Sequence, residues 1–241
     1  MPDLAEWLPT PLGRYLLARE QAYYDHEVAD IFGYNALQLG LPQQDLLRNN
    51  RMPLRLRAGH EEGLGVRADP AFLPIGGQSI DLVVLPHVLE FSDQPHQILR
   101  EVERVLIPEG QLIVSGFNPF SLWGMARHLP GLRDALPGRR RFISLPRIKD
   151  WLALLGFEVT AGRMCCYAPP IQRETWLHRF SFMEAAGDRW WALGGGIYFL
   201  RARKRVQGMR LITPTWTELR ATKRALKPAT QKLLNRNEPE V

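Results

Sequence analysis

The chain has 241 residues, enough to bury a substantial core and suited to one domain with an appendage. Charge is balanced over most of it, there is no repeat or low-complexity tract, and no run approaches the roughly 20 apolar residues that a membrane helix needs. The net charge of +6 is concentrated at one end: eleven Lys and Arg against three Glu lie from Arg201 onward, leaving twenty basic against twenty-two acidic residues before it.

The opening stretch, MPDLAEWLPTP, lacks a basic leader before an apolar core, so a cytoplasmic location is expected. From Thr10, a plausible N-cap followed by Pro11, to Gly33, at the place of a C-cap, the pattern predicts a long helix, broken at most once. Residues 1–34 therefore read as a helical N-terminal segment. Alternating strand and helix signals then predict a parallel sheet covered by helices. ALQLG is a short buried strand, LRLR at residues 54–57 a weaker one, and GLGVRAD a third that ends at Asp69. SIDLVVLP, residues 79–86, is a continuous apolar run of the kind found at a sheet centre buried on both faces.

Asp93 is placed to cap a helix that carries Ile98, Leu99, Val102, Val105 and Leu106 on one face and stops at Pro108 and Gly110. QLIVSGF follows as another buried strand. Ser144 can cap LPRIKDWLALLG, which ends at Gly156, and FEVTAGRMCCY is the strand after it. Its adjacent cysteines, Cys165 and Cys166, are too few for a zinc cage and poorly placed for an ordinary disulfide, so they read as small buried apolar residues. Residues 172–187 are expected to be helical. GGIYFLRARK makes a last strand, which its glycine turn can fold back antiparallel. Beyond Val206 the apolar periodicity fades, so residues 206–241 read as a weakly ordered basic tail; such a tail engages phosphate-bearing partners, nucleic acid included, or is simply solvated.

One block carries a family resemblance: GVRADPAFLPIGGQSIDLVVLPHVLEFSDQPHQILREVERVLIPEGQLIVSGFNP. Asp69, Leu73-Pro74, Ser79-Ile80-Asp81, Val88-Leu89-Glu90 and the run from Arg104 to Gly110 resemble, in order and spacing, the motifs of class I S-adenosylmethionine-dependent methyltransferases of the type 11 group. The resemblance implies an α/β, Rossmann-like domain over residues 35–205, with a seven-stranded, mostly parallel sheet whose last strand is antiparallel. It also implies S-adenosylmethionine as cofactor, bound at the carboxyl ends of the strands, and a methyl acceptor that is a small molecule.

Carried onto this sequence, the family pattern makes Asp69 the acceptor of the adenine amino group, beside Pro70; the alternative is a turn residue before that proline. Leu85 and Pro86 would supply backbone near the cofactor. His87, after the central strand, is the candidate base, because an imidazole titrating near neutrality can deprotonate an acceptor at the rim, or else a structural hydrogen-bonder at a strand end. Asn118 is the candidate substrate donor or, alternatively, a helix cap. Arg139 to Arg141 form either an anion-attracting run or a solvated turn, and Trp176, Trp190 and Trp191 a second cover or simply core. Methyl transfer needs no metal.

The sequence departs from the family in its first loop. Where the pattern has an acid and three glycines, NALQLGLPQQD places Gln38, Gly40, Pro42 and Gln44. Proline fixes φ and offers no N–H, so the loop cannot keep the usual shape. Gln38 and Gln44 would then offer amides in place of a carboxylate and bare backbone, with Gln44 at the start of the next helix. The second strand offers Arg57 where an acid usually holds the ribose, with Glu61 and Glu62 nearby. These departures leave a second expectation, a catalytically silent binding or regulatory module. A dinucleotide oxidoreductase would need a G-x-G-x-x-G turn, which is absent.

Overall fold

The computed structural model describes residues 4–60, 64–129, 132, 135–138, 142–191 and 193–206. The strands β1 (Asn35–Leu39), β2 (Leu54–Gly59), β3 (Val66–Arg67), β4 (Ile80–Pro86), β5 (Leu106–Phe117), β6 (Phe157–Cys165) and β7 (Ile197–Lys204) form one seven-stranded sheet in the order β3-β2-β1-β4-β5-β7-β6. From β3 to β5 all pairings are parallel, and β7 runs antiparallel to both of its neighbours. Strand order reverses between β1 and β4, which puts the crevice for a ligand at their carboxyl ends.

The strand period of two divides the core into two layers. Ala36, Leu82, Val84, Ile113, Phe117 and Phe199 face one layer; Leu37, Leu39, Val83, Leu85, Leu112 and Val114 face the other. The second layer is closed by α4 (Pro95–Val105), through Ile98, Leu99, Val102 and Val105, and by α6 (Leu145–Leu154), through Ile148 and Leu152. Small helices complete the described residues: α3 (Val88–Phe91), α5 (Leu122–Ala126), α7 (Glu174–Arg179) and α8 (Phe182–Trp190).

The first layer is closed by the N-terminal segment, α1 (Leu4–Trp7) and α2 (Pro11–Glu27). Thr10 caps α2 as expected, accepting from the Gly13 N–H at 3.2 Å. A parallel crossover normally contains a helix. The fourteen residues between β1 and β2 contain only turns, so the helix expected to begin at Gln44 does not form. Its place is taken by α2, whose Leu12, Leu16 and Tyr24 share a cluster with Leu41, Leu46, Leu47 and Met52.

Other boundaries also shift. The opening helix ends at Glu27 rather than at Gly33. Gly33 is instead a point of close approach, where a Cβ would fall 2.5 Å from the Asp81 side chain. That carboxylate accepts from the N–H groups of Tyr34 and Asn35, at 3.0 and 2.9 Å, and so fixes where β1 begins. The N-cap of α4 is Gln94, not Asp93, and β5 starts at Leu106, directly from the end of α4. Gly156 does adopt the left-handed conformation of a C-cap, with φ +78°. The basic tail beyond Val206, together with Glu61, Glu62 and Arg139 to Arg141, lies outside the described residues.

Candidate functional site

A cavity of about 840 Å³ opens at the carboxyl ends of β1, β2 and β4. Its walls include Gly40 and Pro42 after β1, Gly59 and His60 at the end of β2, Asp69 and Pro70 after β3, and Pro86 at the end of β4 with Val88 beyond it. Leu4, Ala5, Glu6 and Leu8 of the N-terminal segment close it from another side. Trp7 anchors that wall: it is fully buried, its indole N–H donates to the Ala135 carbonyl at 2.7 Å, and its ring meets Phe117 and Trp123 edge-on.

Gly40 occupies a position that only glycine suits. Its φ is +84°, and a Cβ would lie 2.6 Å from Cγ2 of Val88 and 3.3 Å from the Pro86 carbonyl oxygen. The loop behind it is held from below. Gln38 is buried, and its Nε2 donates towards the carbonyls of Gly40, Leu41 and Gln44 at 3.1, 3.1 and 2.8 Å, while Oε1 accepts from the Leu46 N–H at 2.9 Å. Gln38 is therefore a clamp inside the loop and does not line the cavity, contrary to its expected place against the cofactor. Gln44 turns away too, towards the Leu17 carbonyl at 3.4 Å.

Asp69 and Pro70 are where the sequence predicts them, on the cavity wall. Asp69 Oδ1 accepts from the Ala71 N–H at 2.9 Å, and His60 Nε2 stands 3.9 Å from it. The segment that follows is tied down by Arg104, whose guanidinium donates to the carbonyls of Leu73 and Ile75 at 3.0 and 2.9 Å and to Glu101. Glu101 in turn accepts from the Leu73 N–H at 3.0 Å. Two of the sequence motifs, Leu73-Pro74 and the Arg104 run, are thus one structural unit that supports the Asp69 wall.

Three expectations are corrected. Leu85 is buried in the second layer and, unlike Pro86, does not border the cavity. Asn118 is 2% exposed, and its amide is fully engaged: Nδ2 donates to the carbonyls of Leu193 and Gly195 at 2.9 and 3.0 Å, and Oδ1 accepts from the Phe120 N–H at 3.0 Å. It joins the start of α5 to the turn before β7 and has no amide group left for a substrate.

The third correction is His87. Its backbone borders the cavity in a left-handed turn with φ 55°, but its imidazole is completely buried. Nδ1 lies 3.2 Å from Glu90 Oε2, and Nε2 lies 3.0 Å from Glu20 Oε1, the latter a charge contact without hydrogen-bond angles. Burial alone would push the imidazole pKa down, but the carboxylates of Glu20 and Glu90 outweigh it and hold the value up at about 10. Burial raises Glu90 as well, although His87 and the N–H of Phe117, 2.8 Å away, oppose the shift. The two carboxylates thus favour the cationic form of His87, and the ring, sealed from solvent, is not a base at the rim. Glu20, absent from the expected site, is the partner that sequence reasoning missed.

Among the described residues no group of three or more His, Cys, Asp or Glu is arranged to hold a metal, and no helix is long and apolar enough to cross a membrane. Trp176, Trp190 and Trp191 are substantially exposed and line no part of the cavity.

Residues 48–114 match the family model for a methyltransferase domain. The uncharacterized protein YafS of Escherichia coli K12 is 47% identical over 94 residues, a stretch covering 39% of each chain. Similar solved structures include a possible histamine N-methyltransferase from Thermotoga maritima, with 16% identity, a TM-score of 0.54, and coverage of 80% of this chain and 97% of that one. Another is an S-adenosylmethionine-dependent methyltransferase from Archaeoglobus fulgidus, with 15% identity, a TM-score of 0.54, and coverage of 79% and 94%. The [4+2]-cyclase SpnF is similar as well, with 19% identity, a TM-score of 0.53, and coverage of 78% and 80%. Sheet order and these similarities establish the class I methyltransferase fold; the cyclase illustrates that this fold alone does not define a reaction.

Proposed function

We propose that this chain, a class I S-adenosylmethionine-dependent methyltransferase by fold, binds that cofactor in the cavity at the carboxyl ends of β1, β2 and β4 and methylates a small-molecule acceptor. The observation that carries this reading is that Gly40, with no room for a side chain, and the Asp69–Pro70 wall border the same cavity. Its volume, about 840 Å³, lies within the range of cofactor and ligand pockets.

In this reading Asp69 accepts the adenine amino group, and Gly40 and Pro86 let backbone approach the methionine portion. Bound there, S-adenosylmethionine supplies an electrophilic methyl group on a sulfonium. The chain's own task is to align the acceptor and exclude water, and Leu4, Ala5 and Leu8 give it an apolar wall for doing so. With His87 sealed, an acceptor that must lose a proton gives it to water or to a group of the cavity wall, which includes Glu6 and Asp93.

One observation favours a second reading, a binding module without turnover. Gln38 is spent within the loop and Pro42 has no N–H, so the usual contacts of this loop with the cofactor are reduced. Incubation with methyl-tritiated S-adenosylmethionine and pooled small-molecule extracts separates the two. Label in a small product supports the enzyme, binding without transfer across the pools supports the module, and neither binding nor transfer would remove both.

A further inference from the structure

We infer that Glu20, on the N-terminal helix α2, is a positioning residue for the cavity: through the His87 imidazolium it holds the turn from Pro86 to Val88 that forms part of the cavity wall. This deepens the reading of the cavity as an adenosyl site and rests on it.

The turn is strained. His87 has φ 55°, a conformation that costs a non-glycine residue free energy and persists only where its surroundings enforce it. Two restraints do so here: the backbone N–H donates to the Ser115 carbonyl at 3.1 Å, and the side chain is gripped between Glu20 and Glu90. On its outer side the turn touches the first loop, since Val88 Cγ2 and the Pro86 oxygen lie where a Cβ on Gly40 would go. Movement of the turn therefore moves against the one glycine retained in that loop.

The grip depends on the charge state of the imidazole. An imidazolium can donate from Nδ1 to Glu90 while its positive Nε2–H lies in charge contact with Glu20, whereas neutral imidazole has one N–H and turns a lone pair on one of the two carboxylates. The groups facing this centre are Glu20 and Tyr24 from α2, Glu90 from α3, Ser115 from β5 and Tyr198 from β7, with the Phe117 ring 4.4 Å from the imidazole. Ser115 Oγ donates to Glu20 Oε1 at 2.7 Å and so sets that carboxylate in place. Loss of the His87 charge should thus release the turn while leaving the sheet intact.

The test uses 5′-methylthioadenosine, an adenosyl probe with neither amine nor carboxylate, titrated into the full chain from about pH 7 to about pH 10.5. We expect affinity to hold to about pH 9 and then to fall roughly tenfold or more, with a midpoint near the His87 pKa of about 10. Glu20→Gln should move that midpoint down by about 1–3 pH units. A folded Glu20→Gln protein with an unmoved midpoint overturns the proposal. Carbon-13 NMR of the imidazoles in the wild type tests it even if that variant does not fold: of the six histidines, one should stay cationic at about pH 8.5, and its absence also overturns the proposal. A wild type that shows this cation but binds neither methylthioadenosine nor S-adenosylhomocysteine at neutral pH refutes the adenosyl site itself and leaves the clamp standing as structure alone.

Discussion

His87 Nε2 lies 3.0 Å from Glu20 Oε1, and neither side chain has any exposure to solvent. The contact joins the N-terminal helix to the end of the central strand and so ties a segment outside the family motifs to the cavity. Buried ion pairs add little over an apolar pair, but removing one partner leaves an uncompensated charge. His87→Leu should therefore destabilise the fold by about 3–5 kcal/mol, measured by urea unfolding. A loss of less than about 1 kcal/mol would mean that the carboxylates are not charged beside it.

Stability should also depend on alkaline pH. The folded-state pKa of His87, about 10, lies above the ordinary value of 6.5, so its contribution is complete below about pH 6.5 and is lost as pH rises through 10. Glu90, raised by burial, loses stability in the same direction, but from its ordinary value of 4.5 upward and so starting at lower pH, because its ionisation is more costly in the folded protein. The melting temperature should fall between about pH 7 and about pH 10, and less so in His87→Asn. A flat profile would contradict the ion cluster.

Restoring the family pattern at the first loop should fail. Gln38→Asp removes the amide that donates towards three carbonyls and sets a carboxylate against the same oxygens. We expect a loss of about 2–4 kcal/mol in stability and weaker, not tighter, adenosyl binding. Improved binding would show that the side chain rotates out to the ligand.

At the adenine wall, Asp69→Ala should weaken S-adenosylhomocysteine binding by about 1–3 kcal/mol with little change in melting temperature, because the residue is exposed and lies outside the core. Arg104→Ala should weaken it in the same direction by freeing the Leu73 and Ile75 carbonyls. Unchanged affinity in both variants would detach this wall from ligand binding.

Much of the fold was legible because its signals are local. The apolar run of β4 and the periodic face of α4 led directly to the sheet centre and its cover, and Asp69, Pro70, Pro86 and Gly40 do border the cavity. What was not legible depends on distant contacts. Glu20 sits in a helix rich in polar residues and reads as solvated; only the tertiary packing of α2 sets it against His87. Gln38 was assigned to the ligand because motif alignment assumes that the loop keeps its path, whereas the helix-free crossover allows Gln38 to fill its own loop. For Asn118 the structure favours the alternative over the substrate role: Asn-Pro-Phe-Ser is a turn and cap sequence, and both Asn118 and Ser121 are used as such. Leu85 differs from Pro86 only by strand parity, which assigns it to the core layer.

The central claim, that the cavity beside Gly40 is an adenosyl site, is tested most directly by calorimetric titration of S-adenosylhomocysteine into the wild type and Gly40→Val at neutral pH. A Cβ at this position would lie 2.6 Å from Val88 Cγ2, on a backbone with φ +84°. The account predicts saturable, micromolar binding at one site in the wild type and its loss in a Gly40→Val protein that still folds. No binding by folded wild-type protein, or equal binding by both, would contradict it.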